Sequence, residues 1–285
     1  RFEQTVANIY RYEDILESHE SMSMVIQDEL GKIKKEYQAK RKTVIDNREN
    51  AVYEEKPVEE IDVAFIMDRF GYAKTIDATT YERNKETIQA EFKYSFVMKN
   101  TGKICLFTSA GNLHTIKAMD LPQGKMRDKG VPIDNVSNYN ASDETVILVA
   151  SQSELNLYRL IFTTKSSMMK TVDGGEFDVS KRTVAATKLT DGDELVNVEV
   201  LKEQKTVILR TEDGYFLRFP VDTIPEKKKT AVGVRGMRLG KNDFVRDVYY
   251  LNDLEEKTVE HNNKKLELAH LKITSRDTKG TKVRI

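Results

Sequence analysis

The sequence predicts an all-β repeat protein preceded by a short helical segment. Asp143, Asp193 and Asp243 stand fifty residues apart, and each opens an apolar run. Evenly spaced self-similarity of this kind is typical of an array of one structural unit. Near residue 61 the hydrophobic pattern changes from steps of three and four residues to short apolar runs, which separates the helical part from the repeats.

Residues 1–45 form the predicted helical segment. Apolar residues recur at three- and four-residue steps from Phe2 to Leu16 and again from Met22 to Tyr37. A polar break at 18–21 divides this pattern into two helices, and Ser21 is the predicted N-cap of the second helix. A charged linker, 46–60, leads to the β domain, 61–285.

Four copies of a two-strand unit follow one another in the β domain. They occupy residues 64–76, 105–116, 160–172 and 207–219, with turns centred on Gly71, Gly111, Ser166 and Gly214. Glycine suits a tight hairpin turn because it adopts positive φ without strain. Ser166 breaks this rule, so we expect the third hairpin to turn differently.

A second glycine follows two of these hairpins at a constant distance. Gly130 lies nineteen residues after Gly111, and Gly233 lies nineteen residues after Gly214. An aspartate and a further apolar run complete each repeat, which gives four strands in about fifty residues. A propeller blade has this size, and closing blades in a ring removes exposed sheet edges. We expect about five blades, although residues 252–285 contain no clear hairpin copy.

Composition limits the possible functions. The 46 basic and 46 acidic residues cancel, so overall charge does not indicate a nucleic-acid binder. The sequence has neither the roughly 18 uninterrupted apolar residues of a membrane span nor a secretory signal at its start, so we expect a cytoplasmic protein without a membrane partner. Cys105 lies in an apolar run and is a predicted core thiol. The four histidines lack ligand spacing and no Walker-type loop is present, so we expect no metal, ATP or other cofactor.

The repeated motifs resemble the C-terminal domain of the A subunit of bacterial type IIA DNA topoisomerases, which comprise DNA gyrase and topoisomerase IV. The resemblance rests on DRFGYAK at 68–74, FTSAGNLHTI at 107–116 and EDGYFLR at 212–218. Residues 10–45 look like the returning arm of that subunit's coiled coil. The resemblance implies a β-pinwheel, a propeller-like disc with strands exchanged between blades, whose basic rim binds and bends duplex DNA.

Further expectations follow from the resemblance. Gyrase members carry a Gln-Arg-Arg-Gly-Gly box on the first blade, and residues 80–92 lack it, which favours topoisomerase IV or a gyrase relative with impaired wrapping. The active-site tyrosine of the family lies upstream of the coiled coil, so we expect this chain not to cut DNA. In the full-length protein, the implied partners are the ATPase B subunit, together with a second copy of the A subunit. The domain would set the enzyme's preference among topological substrates.

Basic residues recur near the same landmark in several repeats and are the predicted contacts to DNA phosphates. The predicted DNA-binding residues are Lys74, Lys125, Arg127, Lys129, Lys181, Arg182, Lys188, Arg218, Lys227, Lys228, Lys229, Arg235 and Arg238. The alternative is a propeller-like protein-interaction platform in which these charges only solvate the rim. The three spaced aspartates are predicted to cap turns, and Tyr72 and Tyr215 to be packing anchors.

Overall fold

The computed structural model describes residues 1–39, 41–43, 59–252, 255–261 and 264–283. The chain divides into two compact units, residues 1–56 and 57–285. Of the predicted linker, 46–60, the structure describes only residues 59 and 60. Within the described part, no helix is long and apolar enough to cross a membrane.

In its described residues, the first unit contains two helices, as the periodicity predicts. They are α1 (Phe2–Glu17) and α2 (His19–Tyr37). Ser18, not Ser21, is the N-cap of α2, because the Ser18 side chain accepts a hydrogen bond from the Ser21 amide at 3.2 Å. Neither helix buries a residue completely, and most of the apolar stripe is exposed, with Val6, Ile15, Met22 and Val25 half-buried.

Where the structure describes the second unit, it contains four four-stranded antiparallel sheets, which we call blades 1 to 4, and a fifth hairpin. The sheets consist of β1 (Asp62–Met67), β2 (Tyr72–Asp77), β3 (Tyr94–Lys99), β4 (Lys103–Thr108), β5 (Asn112–Lys117), β6 (Val131–Pro132), β7 (Val146–Ser151), β8 (Arg159–Thr164), β9 (Met168–Asp173), β10 (Thr183–Ala185), β11 (Leu195–Leu201), β12 (Thr206–Thr211), β13 (Tyr215–Pro220), β14 (Val234–Arg235), β15 (Val245–Leu251), β16 (Thr258–His261), β17 (Lys264–Glu267) and β18 (Thr281–Lys282). Short helices α3 (Ala78–Arg83), α4 (Lys85–Glu91), α5 (Ile133–Val136) and α6 (Gln152–Leu155) lie between them.

Each blade takes its outer strand from the following repeat. The strand orders are β3-β1-β2-β6, β10-β5-β4-β7, β11-β8-β9-β14 and β15-β12-β13-β18. The hairpins β1–β2, β4–β5, β8–β9 and β12–β13 are the four predicted copies. The outer strands β6, β10, β14 and β18 each come after the next hairpin in sequence. This exchange confirms the pinwheel arrangement.

Neighbouring blades bury apolar side chains between them. Phe65 of blade 1 packs with Leu106 of blade 2, whereas Phe107 faces the other way and packs with Phe162 of blade 3. Because both faces of a blade are covered, the first strand of each hairpin (β1, β4, β8 and β12) is largely apolar. The inner strand β11 contacts both β7 and β15, which places the inner strands at the centre of the unit.

The two ends of the array differ from its middle. The free face of blade 1 is covered by α3 and α4, whose Tyr81 and Ile88 are buried against Ala64 and Ile66. These helices are formed by residues 78–91, which overlap the stretch 80–92 that lacks the Gln-Arg-Arg-Gly-Gly box. At the other end, β16 and β17 form a fifth hairpin that the sequence analysis missed, and Leu268 packs beside it against blade 4.

The third hairpin does not turn differently, contrary to expectation. Ser167, one residue after Ser166, takes the left-handed conformation at φ 65°, and its amide donates to the Thr164 carbonyl at 2.9 Å. Gly111 makes the same bond to Thr108 at 2.9 Å. The Ser167 hydroxyl also accepts from the Met237 amide at 2.7 Å, a bond to the third outer connection that glycine could not make.

Gly130, Gly233 and Gly280 mark where the outer strands of blades 1, 3 and 4 meet their blades. At Gly233, with φ +104°, a Cβ atom would stand 2.5 Å from the Met169 carbonyl oxygen. Gly130 has the same environment, with the Ala73 oxygen at 2.6 Å. No other residue type can bring the chain this close to the neighbouring strand.

We expect Gly233→Ala to destabilise the domain more than Gly192→Ala does. Both glycines have positive φ, but nothing lies within 4 Å of a Cβ atom at Gly192. Gly192→Ala should therefore cost about 1 kcal/mol of backbone strain, and Gly233→Ala at least about 2 kcal/mol. Urea unfolding of the two variants measures the difference. Equal losses would show that the close approach at Gly233 does not matter.

Candidate nucleic-acid interface

Four outer connections carry the chain from one hairpin to the outer strand of the preceding blade. We define them as the first (122–132), second (178–188), third (225–238) and fourth (271–282), numbered by the blade that each one completes. Their bonds to the blades recur: the Thr75 amide donates to the Pro122 carbonyl at 3.1 Å, and the Thr171 amide donates to the Pro225 carbonyl at 3.1 Å. The connections therefore lie outside the second hairpin strands, along the circumference.

Most of the predicted site residues are exposed on these connections. The exposed ones are Lys125, Arg127, Lys129, Lys181, Arg182, Lys188, Lys227, Lys228, Arg235 and Arg238. Lys229 is half-buried, and its Nζ donates to the Glu176 carbonyl at 2.8 Å.

The structure does not support Lys74 as a contact to DNA. Its side chain is only 2% exposed, and Nζ donates to the carbonyl oxygens of Lys125 and Met126 at 2.8 Å and also to that of Asp128. All three hydrogens of the ammonium are thus used inside the protein. Burial lowers the pKa of Lys74, opposed by the nearby Asp128.

Arg218, also a predicted contact, is held in a similar way. It is half-buried, its Nε donates to Thr206 Oγ1 at 3.1 Å, and its Nη1 donates to the Ala269 carbonyl at 2.6 Å. Its Nε and Nη1 donors are thus engaged with the protein. Spacing along the sequence could not show which basic residues of a hairpin point inward.

Two tyrosines act as platforms for lysines, beyond the packing role predicted for them. Lys129 Nζ lies 4.2 Å from the centre of the Tyr72 ring. In blade 4, Lys279 Nζ and Lys282 Nζ lie 4.9 and 5.5 Å from the Tyr215 ring. Such contacts are worth about 0.5–1 kcal/mol at exposed sites. Lys279 and Lys282 belong to the fourth connection and were missed because the fifth hairpin was not recognised.

Neighbouring connections are joined to one another in sequence. Asn138, just past the first connection, donates to Thr183 of the second at 3.1 Å. Glu176, just before the second connection, accepts from the Lys229 amide of the third at 3.0 Å. The Arg238 amide of the third donates to the Thr278 carbonyl of the fourth at 2.9 Å. Residues in or beside neighbouring connections are thus hydrogen-bonded to one another from the first connection to the fourth.

Two carboxylates partly neutralise this surface. Asp277 lies 3.6 Å from Arg235 and 3.3 Å from Arg238, so one negative charge serves two guanidinium groups. Glu176 pairs with Lys228 at 3.2 Å. These side chains of Arg235, Arg238 and Lys228 remain 57%, 65% and 83% exposed, so each can still reach a ligand.

Every connection nevertheless has a surplus of positive charge. Basic residues outnumber acidic ones three to one in the first, three to one in the second, five to one in the third and four to one in the fourth. Since the whole chain has a net charge of +0, the rest of it must be correspondingly negative. The positive charge is therefore concentrated on the circumference.

The spaced aspartates have the predicted capping role in two repeats. Asp193 Oδ1 accepts from the Ser166 amide at 2.8 Å, and Asp243 Oδ1 accepts from the Asp213 amide at 3.1 Å. Each caps the tip of the hairpin in its own blade. Asp143 instead accepts from the Asn140 side chain at 2.6 Å. Cys105 is fully buried, as predicted, and burial raises the pKa of its thiol to about 12.

Comparison with known proteins agrees with this architecture. The model of the family described as DNA gyrase C-terminal domain, beta-propeller, matches residues 158–202 and 205–252, which hold the hairpins and inner strands of blades 3 and 4. The A subunit of DNA gyrase from Helicobacter pylori strain J99 is 27% identical over 252 residues, and that from Clostridium acetobutylicum is 26% identical over 246 residues. These matches cover 84% and 82% of the chain. The chain spans 30% of the length of each relative.

Solved structures show the same fold. A crystal structure of the C-terminal domain of DNA topoisomerase IV aligns with a TM-score of 0.69 at 23% identity, covering 79% of this chain and 73% of that one. The E. coli ParC C-terminal domain aligns with a TM-score of 0.63 at 17% identity, covering 78% and 94%. The resemblance to the A subunits of type IIA topoisomerases is confirmed. The outer connections are thus the rim of a β-pinwheel.

Blade 2 of the pinwheel has a buried histidine where blades 1 and 3 have lysines. His114 Nε2 lies 2.8 Å from Glu144 Oε1, and His114 Nδ1 lies 3.0 Å from Thr183 Oγ1 in the second connection. Burial opposes ionisation of Glu144, but hydrogen bonds from Thr108 and Asn112 and the nearby His114 outweigh it, so the pKa of Glu144 is lowered. A carboxylate whose pKa is lowered stabilises the folded state above its unfolded pKa, about 4.3.

We expect Glu144→Gln to lower the melting temperature at pH 7, because the ionised carboxylate accepts these bonds. The stabilisation is present above pH ~4.3 and is lost as the pH falls through the lower folded pKa. The gap between wild type and variant should therefore narrow between pH 5 and pH 3. Thermal unfolding followed by circular dichroism measures it, and a gap that stays constant in acid would contradict the assignment.

Proposed function

We propose that this domain is a non-catalytic module that binds and bends duplex DNA for a type IIA topoisomerase. The observation that supports this function is the series of four outer connections, each with surplus positive charge. A duplex lying along them would meet cationic side chains of successive blades. Neutralising phosphates in succession releases counterions, and bending requires no reading of base edges.

In the full-length protein, we propose that the domain sets the choice of topological substrate. Its partners there would be the ATPase B subunit, together with a second copy of the A subunit, in the bacterial cytoplasm on the nucleoid. Helices α3 and α4 are formed largely by the stretch where gyrase members carry their box, which supports a topoisomerase IV-like role, or a gyrase with impaired wrapping. The domain would bend DNA and wrap it less strongly than an ordinary gyrase does.

Duplex affinity measured against salt tests this function. We expect log K to fall steeply with log salt in the wild-type domain, with a slope of about −0.9 for each phosphate contacted. Replacing Lys125 and Arg127 by Gln should weaken binding and flatten the slope by about two contacts. The loss should be the same for unrelated DNA sequences, because phosphate contacts carry no sequence information.

A matched control separates rim contacts from net charge. Lys99 and Lys202 lie at or beside the ends of the inner strands β3 and β11, outside the four connections, and pair with Asp62 at 2.9 Å and Glu154 at 2.6 Å. Changing both to Gln removes the same charge and should leave the slope unchanged. Affinity that is flat with salt in the wild type would favour a protein-interaction platform instead, and equal effects of the two double variants would contradict a rim site.

We expect Asp277→Asn to strengthen binding. Asp277 has φ 60°, a conformation that asparagine also tolerates, so the fold should persist. The change frees Arg235 and Arg238 from an exposed carboxylate, an effect of up to about 1 kcal/mol, or about fivefold in affinity. Asp222→Asn, an exposed aspartate off the rim, is the control. Unchanged affinity in Asp277→Asn would show that neither arginine contacts DNA.

A further inference from the structure

One basic side chain lies beneath the outer connection of every blade. Lys74 holds the first connection and Lys170 the third, each through three backbone carbonyls. His114 contacts Thr183 of the second, and Arg218 binds the carbonyls of Ala269 and Leu271 where the fourth begins. Lys74, His114 and Lys170 each stand three residues after the turn residue of their hairpin, whereas Arg218 stands four residues after Gly214. Only the two lysines hold three backbone carbonyls each.

Lys170 shows the arrangement most clearly. Its side chain is 1% exposed, and Nζ donates to the carbonyl oxygens of Lys228, Lys229 and Ala231 at 3.1, 2.8 and 2.7 Å. The ammonium has three hydrogens, so none remains for another acceptor. The residues that it holds belong to the stretch between Glu226 and Gly233, which has no regular secondary structure.

We propose that Lys74 and Lys170 are positioning residues for DNA binding. Each fixes the backbone of a basic connection, so the outward side chains of that connection are already oriented toward the duplex before it binds. The proposal rests on the proposed function. Ordering one backbone residue costs roughly 1–2 kcal/mol of conformational entropy. If the connection is already ordered in the free protein, this cost does not reduce the free energy of DNA binding. The carbonyls of Lys228 and Lys229 point toward Lys170, while the Lys228 side chain is 83% exposed.

The salt dependence of DNA affinity distinguishes this positioning role from a direct contact to a phosphate. A lysine that touches a phosphate contributes to the salt slope, because its contact releases counterions. A lysine that only orders the loop changes the affinity by the same factor at every salt concentration. Lys170 and Lys227 offer a matched pair, since Lys227 is exposed on the connection that Lys170 holds.

The test compares Lys170→Met with Lys227→Met in the whole chain. We expect Lys170→Met to lower the affinity for a duplex about fivefold or more at every salt concentration, with an unchanged slope. Backbone amides of 227–233 should exchange hydrogen faster in this variant without DNA. Lys227→Met should flatten the slope by about 0.9 and leave amide exchange unchanged.

Each contrary result has a distinct meaning. A flatter slope with unchanged exchange in Lys170→Met would make Lys170 a direct contact and overturn the proposal. Faster exchange with unchanged affinity would make it structural only and overturn it too. If the wild type fails to bind duplex DNA, the proposed function itself fails, and the positioning role fails with it.

A second measurement needs no substitution, in case Lys170→Met does not fold. Burial lowers the pKa of Lys170 to about 8, opposed by Glu176, whereas an ordinary lysine titrates near ~10.4. The groups around it are Glu176, the backbone of Lys228 and Lys229, and the Phe162 ring at 5.6 Å. Wild-type affinity should fall as pH rises through about 8, with the salt slope retained. A DNA affinity that stays constant from pH 7 to pH 9 would contradict the positioning role of Lys170.

Discussion

The exchange of outer strands between repeats is the constraint on which the rest of this structure depends. Because each blade is completed by the chain that leaves the next hairpin, that chain must cross the circumference once per repeat. The crossing places a segment of irregular backbone at the same outer position in every blade. A repeat protein without this exchange would have strand edges there instead of loops that carry charged side chains.

The crossings also have to be held, because irregular backbone is costly to order and its polar groups need partners. Glycine at 130, 233 and 280 allows the crossing chain to approach the blade within a distance that any side chain would prevent. Buried basic side chains then satisfy the carbonyls that turn inward. The outward face remains available for cations, some of them supported by tyrosine rings. Structural and functional charges thus lie only a few residues apart along the chain.

The sequence predicted those parts of the fold whose signals lie within a single repeat. The hairpins were predicted correctly because Gly71, Gly111 and Gly214 stand between apolar runs of strand length. The third hairpin keeps the same turn because a serine accepts the left-handed conformation when its hydroxyl has a partner, which no local pattern reveals. The fifth hairpin was missed because it lacks a turn glycine, yet counting nineteen residues back from Gly280 leads to His261 at its tip.

The sequence predicted the exposed basic residues of the site, but it did not predict which basic residues are buried beneath the connections. Residues on the irregular crossings, such as Lys125 and Arg127, are exposed as their sequence context suggested. Lys74 and Arg218 lie on strands, where both faces of a blade are covered, so alternation along the strand could not tell inside from outside. The tertiary contact with the next repeat decides their role. An alignment of the repeats that pairs each hairpin with the outer connection packed against it would have assigned both residues to the interior.

Ligation of nicked circular DNA in the presence of the domain tests the central claim most directly. If the four connections form one continuous track, rising amounts of wild-type domain should shift the topoisomer distribution in a single direction. The Lys125 and Arg127 double variant should shift it less, while the Lys99 and Lys202 double variant should match the wild type. An unchanged distribution at concentrations where the domain saturates the circle would contradict a bent path around the rim.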